Sequence, residues 1–258
     1  MSAGRVWSTR LVVEVLPDAA AIGRRGADLV AADLAAGRLR ALGVATGSSP
    51  SPVYRELHRR ALPGWAGVRL FSLDEYVGLP PGDPRSYAAV VEREVRAPLG
   101  VAPEDVHVPD GAAADLDAAC RAFEDALTAA GGVDLQVLGI GATGHIGFNE
   151  PGSPLDSRTR VVELAERTRR DNARFFDDPS QVPRRALTQG VATIGGARRH
   201  LLVASGPGKA EAVRRALEGE VSPGCPASAV RTFTDVTVLL DPAAAALLQR
   251  PVRPVRAR

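Results

Sequence analysis

The sequence predicts an α/β fold in which a mainly parallel sheet carries helices on both faces. Three observations lead there. Apolar runs of four to six residues alternate with longer stretches of helical periodicity. The runs are mostly apolar rather than strictly alternating, as in strands buried on both faces. Glycines and small polar residues collect just after the runs, where the carboxyl ends of strands in such sheets meet ligands. The layering is Rossmann-like. With no internal repeat, linker or composition break, residues 1–258 read as a single domain.

The elements follow in order. A strand at Leu11–Val15 leads to a helix at Asp18–Ala36, with Asp18 as its N-cap. Leu42–Ala45 is the next strand, and Pro52–Arg60 the helix after it. Val68–Leu73 reads as a strand, and Arg85–Val95 as a helix. Over Ala113–Ala130, residues Leu116, Cys120, Phe123 and Leu127 recur at i, i+4, i+7 and i+11, which is one buried helix face. The central strand is Leu135–Ile140. Helices are expected at Glu163–Phe176 and Pro183–Thr188, then a strand at His200–Ala204, a helix at Lys209–Glu218 and a last strand at Val236–Leu240.

Composition excludes several classes of function. A net charge of +2 provides no broad field for nucleic acid. Cys120 and Cys225 make neither a disulfide framework nor a metal cluster, so no metal is expected. Arg5, Arg10 and Glu14 around the first apolar run leave no signal-peptide core. No run reaches the roughly 20 apolar residues of a membrane span. A cytoplasmic protein that engages neither membrane nor nucleic acid is the simplest expectation. The arginine-rich tail Arg250–Arg258 reads as a frayed terminus. Of 32 basic residues only Lys209 is lysine, which marks it as a compact point charge where a guanidinium would not fit.

Four strand ends carry polar clusters. Thr46, Gly47, Ser48 and Ser49 precede a helix, and their hydroxyls and free N–H groups form an anion cradle, where an ordinary cap needs one hydroxyl. Asp74 and Glu75 follow the third strand, and adjacent side chains on extended backbone point to opposite sides. One is placed for a ligand and one for a structural pair. The central strand ends in a loop with Gly139, Gly141, Gly144 and Gly147 that delivers Thr143, His145 and Glu150. Its Gly-x-Gly-x-x-Gly spacing lacks the helix at the third glycine that a dinucleotide site requires, so no such cofactor is expected. Ser205-Gly-Pro-Gly-Lys209 is a second glycine turn into a helix, with a cation where the helix dipole disfavours one unless an anion is near. Two anion-binding turns and two acid–base centres suit proton transfer on a small phosphorylated metabolite.

These stretches resemble the glucosamine-6-phosphate deaminase family, within the superfamily that also holds the 6-phosphogluconolactonases. The resemblance runs from about Leu42 to Leu240. It is carried by Ala45–Pro50, Phe71–Leu79 with Asp83–Tyr87, Gly144–Pro151, Ser157–Arg160, Asn172–Phe176 and Ala186–Thr193. It implies deamination of an aminosugar 6-phosphate through its open chain, without a cofactor. Asp74 matches the base that moves the C2 proton to C1, His145 the group that opens the ring, and Glu150 the acid that orients it. Thr143 joins this catalytic group by position. Thr46–Ser49, Arg174 and Lys209 match the phosphate site, with Glu75 and Gly141 beside the substrate. A homo-oligomer is compatible with the family.

Three departures from the family pattern stand out. Thr143 replaces the usual Asp or Asn before Gly-His, which removes a carboxylate from the histidine's network. Arg231 and Phe233 stand in a segment that usually reads Ser-x-Leu-Gln-x-His. Val162 replaces a lysine of allosterically regulated members, so activation by N-acetylglucosamine 6-phosphate is not expected. Three alternatives stay open at this point. They are dehydration of N-acetylglucosamine 6-phosphate to a 2,3-unsaturated sugar phosphate, lactone hydrolysis with His145 activating water, and non-catalytic sensing of a sugar phosphate.

Overall fold

A computed structural model describes residues 10–249; Arg5 and the Arg250–Arg258 tail lie outside them. The strands are β1 (Arg10–Val15), β2 (Ala41–Val44), β3 (Arg69–Ser72), β4 (Asp74–Tyr76), β5 (Val106–His107), β6 (Leu135–Gly139), β7 (Arg160–Glu163), β8 (Arg185–Thr188), β9 (His200–Ala204) and β10 (Asp235–Leu240). The α-helices are α1 (Ala19–Ala35), α2 (Ser51–Arg60), α3 (Tyr87–Val91), α4 (Ala97–Leu99), α5 (Leu116–Ala129), α6 (Glu166–Asn172), α7 (Val191–Gly195) and α8 (Ala210–Glu218).

Seven strands form one sheet in the order β1-β10-β9-β6-β2-β3-β5, and each neighbouring pair is parallel. The mostly apolar runs are explained by the two layers that cover it. Along β9, Leu201 and Val203 join the cluster that holds Ile22, Val30 and Leu57 of α1 and α2. Leu202 and Ala204 join the opposite one, with Ile194 of α7 and Val213 and Leu217 of α8. Asp18 caps α1 by accepting from the Ala21 N–H at 2.7 Å. On α5, Cys120, Phe123 and Leu127 are buried, and Phe123 meets Phe71 edge-on at 6.0 Å. From β2 the chain proceeds outward to β3 and β5, and from β6 it proceeds the other way to β9 and β10. The β2–β6 boundary is therefore the switch point whose carboxyl-end crevice suits a ligand.

A second sheet, β4-β8-β7, is antiparallel, and two expectations fail there. Residues 183–188 were expected to be helical, but Arg185–Thr188 is strand β8, sandwiched between β4 and β7. A short apolar run cannot be assigned by periodicity alone, and pairing on both edges outweighs its helix propensity. The helix expected from Glu163 begins at Glu166, because Arg160–Glu163 pairs as β7. The expected strand Val68–Leu73 forms as β3, and Leu73 links it to β4. Leu73 still donates to the Val44 carbonyl at 3.1 Å, while its own carbonyl accepts from Gln189 N–H at 2.7 Å. The chain passes there from the parallel sheet into the antiparallel one, which swings Asp74 across the strand ends.

Candidate active site

A cleft of about 880 Å³ opens at the carboxyl ends of the parallel strands. The turn after β2 contributes Thr46, Gly47, Ser48 and Ser49 to its wall. Asp74 enters from β4, Gly141 and His145 from the loop after β6, Arg174 from the turn that extends α6, and Lys209 from the turn before α8. Residues far apart in sequence meet because all these segments leave the sheets at one end.

Asp74 is buried at 6 % exposure, and among the described residues no hydrogen bond reaches its carboxylate. Burial, and then the charge of Glu75, pushes its carboxyl well above the usual carboxylate range. Glu75 itself turns away from the cleft. Its carboxylate accepts from the N–H groups of Tyr76 (2.7 Å), Tyr87 (2.9 Å) and Ala88 (2.8 Å), which secures the start of α3. Its expected contact with substrate is therefore replaced by a structural one. Adjacent residues on a strand face opposite ways, and here the division between site and scaffold is complete.

His145 belongs to a chain of hydrogen bonds. Its Nδ1 lies 2.9 Å from the Thr143 hydroxyl, and that hydroxyl donates to Glu150 Oε2 at 3.0 Å. A hydroxyl has one proton, so if Thr143 donates to Glu150 it accepts from Nδ1–H. In the neutral ring this geometry selects the tautomer with its proton on Nδ1 and a lone pair on Nε2. The imidazole lies flat against Gly141, where an added Cβ would come within 2.1 Å of Nε2. Only glycine permits that approach. Glu150 Oε1 lies 3.4 Å from His145 Nδ1 and accepts from the Thr168 hydroxyl. Burial opposes the charge on Glu150, but hydrogen bonds and charge from His145, with the Thr168 and Thr143 hydroxyls, prevail and bring its carboxyl down to about 2. Thr143 and Glu150 stand behind His145 and do not line the cleft.

At the other end of the cleft, burial draws the Lys209 ammonium below its usual range, and Arg174 and Arg167 add to this while Asp171 opposes it. Two cations, Lys209 and Arg174, thus face one space, which an anion would stabilise. The Arg174 guanidinium also stacks on the Phe175 ring at 4.7 Å.

Two of the departures lie away from the cleft. Arg231 donates to the Gly219 carbonyl, and Phe233 rests 4.5 Å from the His200 ring. Val162 packs against the cluster of Tyr76, Phe148 and Leu164. Further residues line the site that were not expected from the strand-end clusters. Tyr76, Tyr87 and Phe148 form an aromatic wall, with the Tyr87 and Phe148 rings stacked at 5.8 Å. Asn172 donates to the Tyr76 hydroxyl at 2.8 Å. Thr168 and Asn172 are four residues apart on α6, a spacing that puts them on one helix face with Arg174 just beyond, and this was the signal available.

Comparison with known proteins shows the family to which this chain belongs. Residues 17–239 match the family described as glucosamine-6-phosphate isomerases/6-phosphogluconolactonase. A glucosamine-6-phosphate deaminase of Arthrobacter sp. (strain FB24) is 54% identical over 242 residues, covering 92% of both chains. One from Streptomyces coelicolor is 51% identical over 241 residues, again covering 92% of both. The solved structure of a monomeric glucosamine-6-phosphate deaminase superposes with a TM-score of 0.88 at 41% identity, over 92% of this chain and 99% of that one. A 6-phosphogluconolactonase from Trypanosoma brucei shares the fold, with a TM-score of 0.74 at 21% identity over 93% and 99% of the two chains.

Proposed function

Because this chain belongs to the glucosamine-6-phosphate isomerase/6-phosphogluconolactonase family, we propose that it is a glucosamine-6-phosphate deaminase, converting that sugar and water to fructose 6-phosphate and ammonia. The observation that carries the reading is the opposite setting of two carboxylates in one site. Glu150 is held charged, while Asp74 is made a stronger base than an ordinary aspartate.

In this reading the phosphate sits among the Thr46–Ser49 turn, Arg174 and Lys209. His145 Nε2 accepts the proton of the anomeric hydroxyl and returns it to the ring oxygen, which opens the ring. The imidazolium formed on the way is stabilised by Glu150 through Thr143 and directly across 3.4 Å. Asp74 takes the proton from C2, and the electron pair passes into an enolamine whose new C1 hydroxyl takes its proton from the substrate's ammonium. The same carboxyl then protonates C1, leaving an imine at C2. Water adds there and ammonia departs. Asp74 must be unprotonated to begin, so turnover falls as pH drops through its raised pKa, while Glu150 stays charged down to about 2. Thr143 serves here because a hydroxyl, like a carboxylate, accepts from Nδ1–H, and it passes the demand on to Glu150.

Among the described residues no helix is long and apolar enough to cross a membrane. A cytoplasmic enzyme acting on a small sugar phosphate, apart from membrane and nucleic acid, fits that and the metabolic relatives. The test incubates the protein with glucosamine 6-phosphate and, separately, N-acetylglucosamine 6-phosphate, following ammonia and ultraviolet absorbance. Ammonia from the first substrate is expected. An absorbing product from the second, without ammonia from the first, would replace deamination with dehydration.

A further inference from the structure

The segment from Glu166 to Phe175 carries three side chains into the site at once. Thr168 donates to Glu150 Oε1, the oxygen that lies 3.4 Å from His145 Nδ1. Asn172 ties the same helix to the aromatic wall through the Tyr76 hydroxyl at 2.8 Å. Arg174 faces the cleft beside Lys209. Thr168 is buried, whereas Arg174 is exposed. One end of this short element therefore holds the carboxylate behind His145, and the other awaits the anion.

We propose that Thr168 is a positioning residue that conveys the seating of the Glu166–Phe175 segment to Glu150, so that phosphate held at Arg174 and Lys209 steadies the His145 network. This rests on the reading of those two cations as the phosphate site. The physical argument is that a helix moves as a unit. An anion that draws Arg174 inward loads the whole segment, and Thr168 is where that load reaches the proton-transfer groups. Without the Thr168 hydroxyl, Glu150 keeps Thr143 on one oxygen but loses the donor that fixes the other, and the carboxylate can rotate away from Nδ1. Binding energy gathered at the phosphate, remote from the reacting carbons, would then appear as rate rather than as affinity.

The test compares wild type, Thr168→Val and Thr168→Ser by two measurements. In the first, inorganic phosphate is titrated into each protein while the ring signals of His145 are followed by NMR, with the affinity for phosphate measured in parallel by calorimetry. The His145 signals are expected to shift with phosphate in wild type and Thr168→Ser. In Thr168→Val the shift should be at most half as large at equal occupancy, with phosphate affinity within about twofold because its direct partners are untouched. In the second, kcat for glucosamine 6-phosphate should fall about tenfold in Thr168→Val with KM nearly unchanged, and serine should restore it. An equal His145 response in wild type and Thr168→Val, no response in wild type, or a rise in KM without a fall in kcat would overturn the proposal. Thr168→Ala repeats the comparison if the valine variant does not fold. The NMR arm needs no turnover, so a failure of the deaminase reading shows as absent ammonia and leaves this inference decidable.

Discussion

Asp74 and Glu150 stand in the same site and are prepared in opposite ways. The Asp74 region is starved of partners: the carboxylate is buried, no hydrogen bond reaches it among the described residues, and its neighbour Glu75 adds like charge. The Glu150 region is saturated, with Thr143 and Thr168 donating and the His145 ring adjacent. Starvation raises basicity, and saturation fixes charge. The difference teaches that one residue type takes on two roles through the donors its loop brings, so the functional signal lies in the partners more than in the carboxyl groups.

Removing the starved carboxylate breaks the comparison most severely. Asp74→Asn should lower kcat on the order of a hundredfold or more, with substrate binding retained, as read by steady-state ammonia release. Substitution at the anion end tests whether the contrast is confined to the proton-transfer groups. Lys209→Met should raise KM about ten- to hundredfold for phosphorylated sugars, the loss of one charge-assisted contact, and kcat should change less. An unchanged KM would remove Lys209 from the phosphate site. Thr143→Val cuts the saturated side at one link and should lower kcat about tenfold, less than Asp74→Asn, because Glu150 still faces His145 directly. A loss as large as that of Asp74→Asn would mean that the relay, not the base, limits the reaction.

The smallest effect is on stability, and here the two carboxylates should differ in sign. A folded-state pKa raised above the unfolded value means that the charged Asp74 costs stability above that pKa, and the cost fades as pH falls through it. Asp74→Asn should therefore raise Tm by a few degrees near neutral pH, with the gain shrinking in acid. Glu150 is the reverse. Its contribution is present above the ordinary value of 4.5 and is lost as pH falls through about 2, so Glu150→Gln should lower Tm at neutral pH. Thermal melts of both variants from pH 7 to pH 4 check the pair. Shifts of the same sign would end the contrast.

The parallel sheet was legible because its longer strands are buried on both faces and spell that out in consecutive apolar residues, as Leu201 to Ala204 do. The strand ends were legible because glycine and hydroxyl clusters there have little purpose in a scaffold. The antiparallel sheet was not. Asp74 pairs with Thr188, which also pairs with Arg160, and nothing local in those short runs announces partners so distant. The roles within Asp74–Glu75 were half legible: opposite faces followed from the backbone, but which face met the cleft depended on where β4 runs. Thr143 was visible as a departure, and its accommodation became clear only once its hydroxyl was seen between His145 and Glu150. Thr168 escaped notice because its partner lies 18 residues away across a loop.

The solitary lysine has a practical consequence. The Lys209 amine is partly shielded and its proton is held less firmly than usual, so it is a better nucleophile near neutral pH than an ordinary surface lysine. Acylating reagents that scatter over the lysines of most proteins would find one lysine here, in the lining of the cleft. Coupling the protein to a surface through the Lys209 amine would block the cleft, and thiols offer no alternative handle, because Cys120 and Cys225 are both buried. The same isolation makes Lys209 a built-in reporter, since protection from acylation by a bound sugar phosphate reads occupancy in a single mass-spectrometric peak.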